Sequence, residues 1–322
     1  MKKMLRWASA GIALAVLTGH TMAADWPDRM IRVVAPYGPG GGVDVFTRPI
    51  AARLTQTLGQ PVIVDNRPGA GGTIGVKNVA EAPADGYAIM SGGVHQPMAE
   101  GLYAKRGYDL DKDFVPVALT ARVPSVLVVT SSAPYGSVKE LITYAKANPG
   151  KINYCSSGNG TAQHIVGEQF KRLAGVSMTH VPYRGTAAAM TDLIAGQCDI
   201  MFDGLGTSAQ QIRGGKIRLL AVAAAKRTPL FPDAPTLKEA GGPDMDATIW
   251  YGWWVRRGTP QPVIDKLADG VRTALKDPAV ADSWKQQGAE VPDMSRTDTI
   301  PYVHNEIGRW TKAVSELGIT LD

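Results

Sequence analysis

The sequence is poor in cysteine and phenylalanine: Cys155 and Cys198 are the only two cysteines in 322 residues, and five phenylalanines occur. It also lacks the spacings that mark nucleotide and metal chemistry. No Lys-Ser/Thr pair follows the glycines at 40–42, so there is no P-loop, and Val43 stands where a dinucleotide fingerprint needs its third glycine. His95, His164, His180 and His304 show no His-x-x-x-His or Cys/His spacing, and no Gly-x-Ser-x-Gly elbow is present. No metal, no cofactor and no catalytic constellation are therefore expected. Basic residues are not interleaved with aromatics as a nucleic-acid surface requires, nor do they form a basic amphipathic helix suited to a membrane surface.

What is present begins with Lys2, Lys3 and Arg6, an apolar run from Ala8 to Leu17, and small residues up to Ala24. That is the pattern of a secretory signal peptide over 1–24, cleaved after Ala23 or Ala24. The run is too short to span a bilayer and no later stretch reaches about 18 apolar residues, so a soluble, exported chain is expected. Without the three signal cations, Lys+Arg falls from 34 to 31 against 29 Asp+Glu, and the net charge from +5 to +2. The remaining length exceeds what one core usually serves, which predicts two lobes. Export permits a disulfide. Yet Cys155 ends one expected strand and Cys198 begins a parallel neighbour, which would set their Cα atoms about 13 Å apart against a limit of about 7 Å. Two free, mostly buried thiols are expected.

The most telling stretch is Val33-Val34-Ala35-Pro36-Tyr37-Gly38-Pro39-Gly40-Gly41-Gly42-Val43-Asp44, an apolar strand entering a Gly/Pro loop that opens an amphipathic helix. A helix placed there aims its unpaired N–H groups and positive dipole end above the strand, which suits an anion. The same device recurs. Strands are expected at 31–35, 61–66, 87–91, 151–155, 179–183 and 199–203, and helices at 43–58, 73–80, 137–147, 162–174 and 187–195, with glycine or small polar loops between them. This alternation predicts an α/β fold with mainly parallel sheets. Ligands of such sheets sit beyond the carboxyl ends of the strands, so each set builds one wall of a cleft. A strand at 248–255 and helices at 262–275, 283–288 and 299–317 return the chain to the first lobe, making a hinge of two crossings.

Among single residues, His164 sits in the first turn of its helix, where it could reach a bound acid or cap locally. Arg184 could pair with a carboxylate bidentately or lie solvated. Asp44 and Asp203 close strand-to-helix loops; Asp44 reads as a helix N-cap, whereas Asp203 could accept from a ligand hydroxyl or amine. The aromatic group Trp250, Tyr251, Trp253 and Trp254 alternates faces on its strand, so part of it packs in the core and part could line the cleft.

Pro36 to Asp44, Asn66 to Gly72, Ser156-Ser157-Gly158-Asn159-Gly160-Thr161, His180-Val181-Pro182-Tyr183-Arg184-Gly185, and Trp250-Tyr251-Gly252 followed by Gly258-Thr259-Pro260 together resemble the Bug (TctC-type) solute receptors of tripartite tricarboxylate transporters. The resemblance covers essentially the whole chain after the signal. It implies a two-lobed type II periplasmic binding protein fold, with lobe 1 formed by 25–125 and 246–322, lobe 2 by 126–245, hinge crossovers, and a ligand cleft between lobes. It further implies a periplasmic monomer that binds a small organic carboxylate and hands it to membrane permease subunits, without catalysis. The implied ligand-binding residues are Tyr37, Gly38, Gly40, Gly41, Asp44, Gly92, Ser156, Ser157, Asn159, Gly160, Thr161, His164, Arg184 and Asp203, with the two glycine-bearing loops gripping one carboxylate. Two stretches depart from the family pattern. These are Ser91 to Pro97, which faces the distal end of the ligand, and the bulkier, more basic Trp253 to Arg257; they leave di- and tricarboxylates and aromatic acids all open. A periplasmic enzyme acting on a carboxylate and a ligand sensor are the rival readings.

Overall fold

The computed structural model describes residues 26–321; the signal segment expected at 1–24 lies outside them. The chain forms β1 (Ile31–Ala35), α1 (Gly42–Leu58), β2 (Val62–Asn66), α2 (Thr73–Ala80), β3 (Ala88–Gly93), α3 (His95–Leu102), α4 (Leu110–Asp113) and β4 (Phe114–Val123). It continues through β5 (Ser125–Thr130), α5 (Val138–Ala147), β6 (Asn153–Ser156), α6 (Ala162–Ala174), β7 (Thr179–Pro182), α7 (Thr186–Ile194), β8 (Ile200–Gly204), α8 (Leu205–Arg213) and β9 (Ile217–Ala223). The last elements are β10 (Ile249–Arg256), α9 (Gln261–Leu275), α10 (Pro278–Gln286) and α11 (Arg296–Leu317).

Two five-stranded sheets result, ordered β2-β1-β3-β10-β4 and β7-β6-β8-β5-β9. Both are mixed rather than mainly parallel. β1, β2 and β3 run parallel, but β10 is antiparallel to β3 and β4; β6, β7 and β8 run parallel, but β5 is antiparallel to β8 and β9. The strands that alternate with helices obey the parallel rule, and the antiparallel pairs lie where the chain crosses between sheets. One crossing is at Pro124, which lacks the N–H needed to extend β4 into β5; the other is the stretch from 224 to 248.

Side chains of β5 show why two layers form. Val126 and Val128 join the large core that includes Val33, Met201 and Ile165, whereas Leu127 and Val129 join a second core with Tyr154, Phe170 and Phe202. Alternation along a strand sends neighbours to opposite faces. β10 is buried along all but its last residue. Trp250, Trp253 and Trp254 are core residues, and the Trp250 indole N–H donates to Glu306 at 2.7 Å, so of the aromatic group Tyr251 alone lines the cleft.

The expectation of two free thiols is overturned: Cys155 and Cys198 form a disulfide with Cα atoms 6.1 Å apart. Cys198 does not stand on the ladder. β8 starts at Ile200, and Cys155 is in register with Met201, so a straight extension would have kept the cysteines apart. Instead the chain bends at 197–198 before β8, which brings Cys198 beside β6.

Candidate functional site

A cavity of about 810 Å³ lies where the two sheets' loops meet. First-turn residues of six helices line it: Gly42 and Val43 of α1, Thr73 of α2, His95 of α3, Gln163 of α6, Thr186 of α7 and Thr207 of α8. The N-caps of these helices, Gly41, Gly72, Val94, Thr161, Gly185 and Gly204, provide no side-chain hydrogen bond. Away from the cavity Ser137, Asp277 and Ser295 cap α5, α10 and α11 with their own side chains, and of the helices there only α9, which follows Pro260, goes without among the described residues. The first N–H groups of α2, α6 and α8 are taken by the Ala70 carbonyl, His95 Nδ1 and the Pro124 carbonyl, but the remaining terminal N–H groups and the positive dipole ends of these helices converge on one cavity and make an anion cradle that uses no fixed charge.

The glycines permit this convergence. Gly42 packs so close to the Tyr251 ring that a Cβ would lie 2.0 Å from its hydroxyl oxygen, and a Cβ on Gly41 would stand 3.5 Å from Oγ1 of Thr186 on the facing wall. Gly160 adopts φ +76°, and a Cβ there would meet the Tyr103 hydroxyl at 2.8 Å.

Of the expected site residues, the structure gathers Tyr37, Gly38, Gly41, Ser157, Asn159, Thr161, Arg184 and Asp203 on the cavity surface. Gly40, Asp44, Gly92, Ser156, Gly160 and His164 fall behind it. Asp44 is the third residue of α1, not its N-cap, and its carboxylate accepts from the Gly40 N–H (3.0 Å), from Arg48 (2.8 and 2.7 Å) and from Asn66 (3.0 Å). Burial opposes its ionisation, but those hydrogen bonds outweigh it and hold the carboxyl below its ordinary range. Gly92 faces Gln96 inside β3. His164 stacks on His180 at 4.1 Å between centroids, and its Nδ1 accepts from the Gly160 N–H, while His180 meets the Ser156 hydroxyl at 2.7 Å. Burial lowers both imidazoles, His180 to about 4, so these neutral rings brace the loop from behind.

Asp203 sits inside β8, fully buried, and burial pushes its carboxyl up. Its oxygens accept from Gln163 Nε2 (2.6 Å), Thr207 Oγ1 (2.5 Å) and Ser208 Oγ (2.6 Å). Gln163 Oε1 in turn accepts from the Ser157 N–H. Asp203 thus positions Gln163, Thr207 and the Ser157 loop, and its lone pairs are already engaged. It is the one acidic residue on the cavity surface among the described residues, whereas Lys105, Arg106 and Arg184 also line it. Arg106 is committed to Glu100; Lys105 and Arg184 form no ion pair among the described residues.

Residues absent from the expected site set are Gln163, Thr186 and Thr207, findable as first-turn positions beside the loops it did name, and Tyr103, for which no local signal exists; His95 and Tyr251 fall in stretches the sequence reading placed near the ligand, Ser91 to Pro97 and the aromatic group, without being singled out. Two of these join the walls directly: the Ala162 N–H of α6 donates to His95 Nδ1 at 3.0 Å, and the Tyr103 hydroxyl donates to the Asn159 carbonyl at 3.1 Å.

An α/β fold with a closed anion cradle between two sheets defines a solute-binding protein, and comparison gives the family. The model of the tripartite tricarboxylate transporter family receptor (TctC) matches residues 46–319, and the chain belongs to that family. Among solved structures it is similar to the periplasmic binding protein BugD (36% identity, TM-score 0.88, 92% of this chain and 100% of that one). It is similar also to Rpa4515 of R. palustris with adipate (38%, 0.87, 92% and 100%). A third is MatC from Rhodopseudomonas palustris with bound malate (34%, 0.86, 90% and 100%). The family and these neighbours are periplasmic solute-binding receptors with a two-lobed fold, not enzymes.

Proposed function

We propose that the chain is exported by residues 1–24, binds a small dicarboxylate between lobe 1 (25–125 and 246–322) and lobe 2 (126–245), and delivers it to a tripartite tricarboxylate transporter permease. The observation that carries this reading is the set of uncapped helix N-termini meeting on one cavity from both sheets. One carboxylate sits among the termini of α1, α6 and α7, near Gly41, Ser157, Thr161 and Thr186. Because donors come from both walls, the ligand gains its full hydrogen bonding only in the closed form, which is what shifts an open–closed equilibrium. With no free acidic acceptor on the cavity surface among the described residues, oxygen-rich, anionic ligands are favoured over amines, and adipate and malate in the neighbours are of that kind.

Thermal unfolding of refolded, ligand-free protein against mono-, di- and tricarboxylates, amino acids and aromatic acids tests the reading. A ligand at about 100 times its Kd adds about 2.7 kcal/mol to the folded state. A selective rise of several degrees with a dicarboxylate is expected; no rise with any acid refutes it. Loss of growth of a deletion strain on that acid would tie binding to uptake.

A further inference from the structure

We infer that His95 is a ligand-binding residue whose Nε2–H donates to an acceptor oxygen of the bound acid, while its Nδ1 ties that contact to α6 of the facing wall. The inference deepens the reading of the cavity as a carboxylate site and rests on it.

The tautomer follows from geometry. Nδ1 accepts the Ala162 N–H at 3.0 Å, so it carries a lone pair, and the proton of the neutral ring is on Nε2. His95 is buried to 9% exposure, its ring tilts against Tyr37 with centroids 4.8 Å apart, and it lines the cavity. Nε2 has no hydrogen-bond partner among the described residues, nor is it one of the polar atoms sealed without a partner inside the protein. A donor that opens on the cavity and has no protein acceptor is left for an oxygen of whatever the cavity binds. Burial alone lowers the imidazole to about 4, so near neutral pH it acts as a neutral donor.

The position gives the residue a second effect. His95 is the first residue of α3, beside sheet strand β3, and Ala162 is the first residue of α6, after β6 of the other sheet. An oxygen bound at Nε2 polarises the ring and makes Nδ1 a better acceptor, so ligand contact and wall-to-wall contact strengthen one another. Because both ring nitrogens then serve donor-to-oxygen and N–H-to-nitrogen bonds, the ring offers nothing to a ligand ammonium. The ligand group at this point is a carboxylate, carbonyl or hydroxyl oxygen.

Two variants separate the functions. In His95→Asn the side-chain oxygen reaches the place of Nδ1 and accepts from Ala162, but nothing reaches the place of Nε2. In His95→Gln the amide reaches the place of Nε2, and the Nδ1 acceptor is lost. Calorimetric titration of refolded protein with malate and adipate, on variants whose circular dichroism matches the parent, is expected to show His95→Asn weaker by about tenfold and His95→Gln clearly tighter than His95→Asn. In imidazole 15N spectra of the parent, ligand is expected to shift the Nε2–H resonance. Unchanged affinity in His95→Asn, equal losses in both variants, or an unmoved Nε2 resonance overturns the inference while leaving the receptor reading intact. Failure of the parent to bind any acid of the panel overturns both.

Discussion

Removing the bridge between Cys155 and Cys198 should destabilise the protein by about 4 kcal/mol. The two cysteines are 43 residues apart. On the loop-closure model a cross-link of that span removes about 13 cal/mol/K from the unfolded chain, or about 4 kcal/mol at 25 °C. Both sulfurs are completely buried. In a double Cys155→Ala/Cys198→Ala variant the space they leave adds about 1 kcal/mol each, whereas reduction of the parent isolates the loop effect. Against a typical stability of about 5–15 kcal/mol this is a large share. Urea unfolding followed by circular dichroism, with and without reductant, gives the magnitude. Alkylation of the denatured, unreduced protein gives the connectivity, with no mass shift until reductant is added. Two alkyl groups without reductant, or a reductant effect below about 1 kcal/mol, would refute the reasoning.

Gly160→Val places a branched side chain at φ +76° against Tyr103 and Leu321; closure and ligand affinity should both be lost, measured by small-angle scattering and calorimetry, with the fold retained. Gly41→Asp sets a carboxylate in the proposed cradle and beside Thr186; if the cradle holds the ligand's own carboxylate, the repulsion costs several kcal/mol of binding, and wild-type affinity in the variant would refute the cradle. Stability should fall as pH drops from about 6.5 towards 4, because the folded state holds His95 at about 4 and the unfolded chain takes up its proton at 6.5. Below the lower value the cost reaches about 3 kcal/mol, and His180 acts in the same direction. Asp203, raised by burial, works oppositely, gaining its proton more readily when folded as pH falls. Asp203→Asn, whose amide can donate to Thr207 and Ser208 and accept from Gln163, should therefore stay within about 1 kcal/mol of the parent at pH 7 and lose stability more steeply in acid, as urea midpoints at several pH values would show.

The loops that matter were legible because each is a local device: a strand, glycines or small polar residues, then a helix start. Gly41, Ser157, Thr161 and Arg184 are in the cavity for that reason. What was illegible depends on distant pairing. Nothing near Cys198 announces the bend that lifts it off the ladder, and the strand at 249–256 reads as a strand without revealing that it lies antiparallel between β3 and β4. Asp203 was visible as a carboxylate near a helix start, but its saturation by Gln163, Thr207 and Ser208 comes from three side chains meeting only in the fold. His95 meets Ala162 from 67 residues away, beyond any periodicity or cap rule.

The insertion of β10 also fixes an order of assembly. Every strand of the β7-β6-β8-β5-β9 sheet comes from one continuous stretch, 125–223, whereas the other sheet stays split between β3 and β4 until residues 249–256 arrive. A chain growing from its N-terminus therefore carries a gap in its first-made sheet while its second-made sheet completes. Two facing strand edges wait unpaired through that interval, the stage at which such edges recruit foreign strands or call for a chaperone. The half begun first is the half finished last.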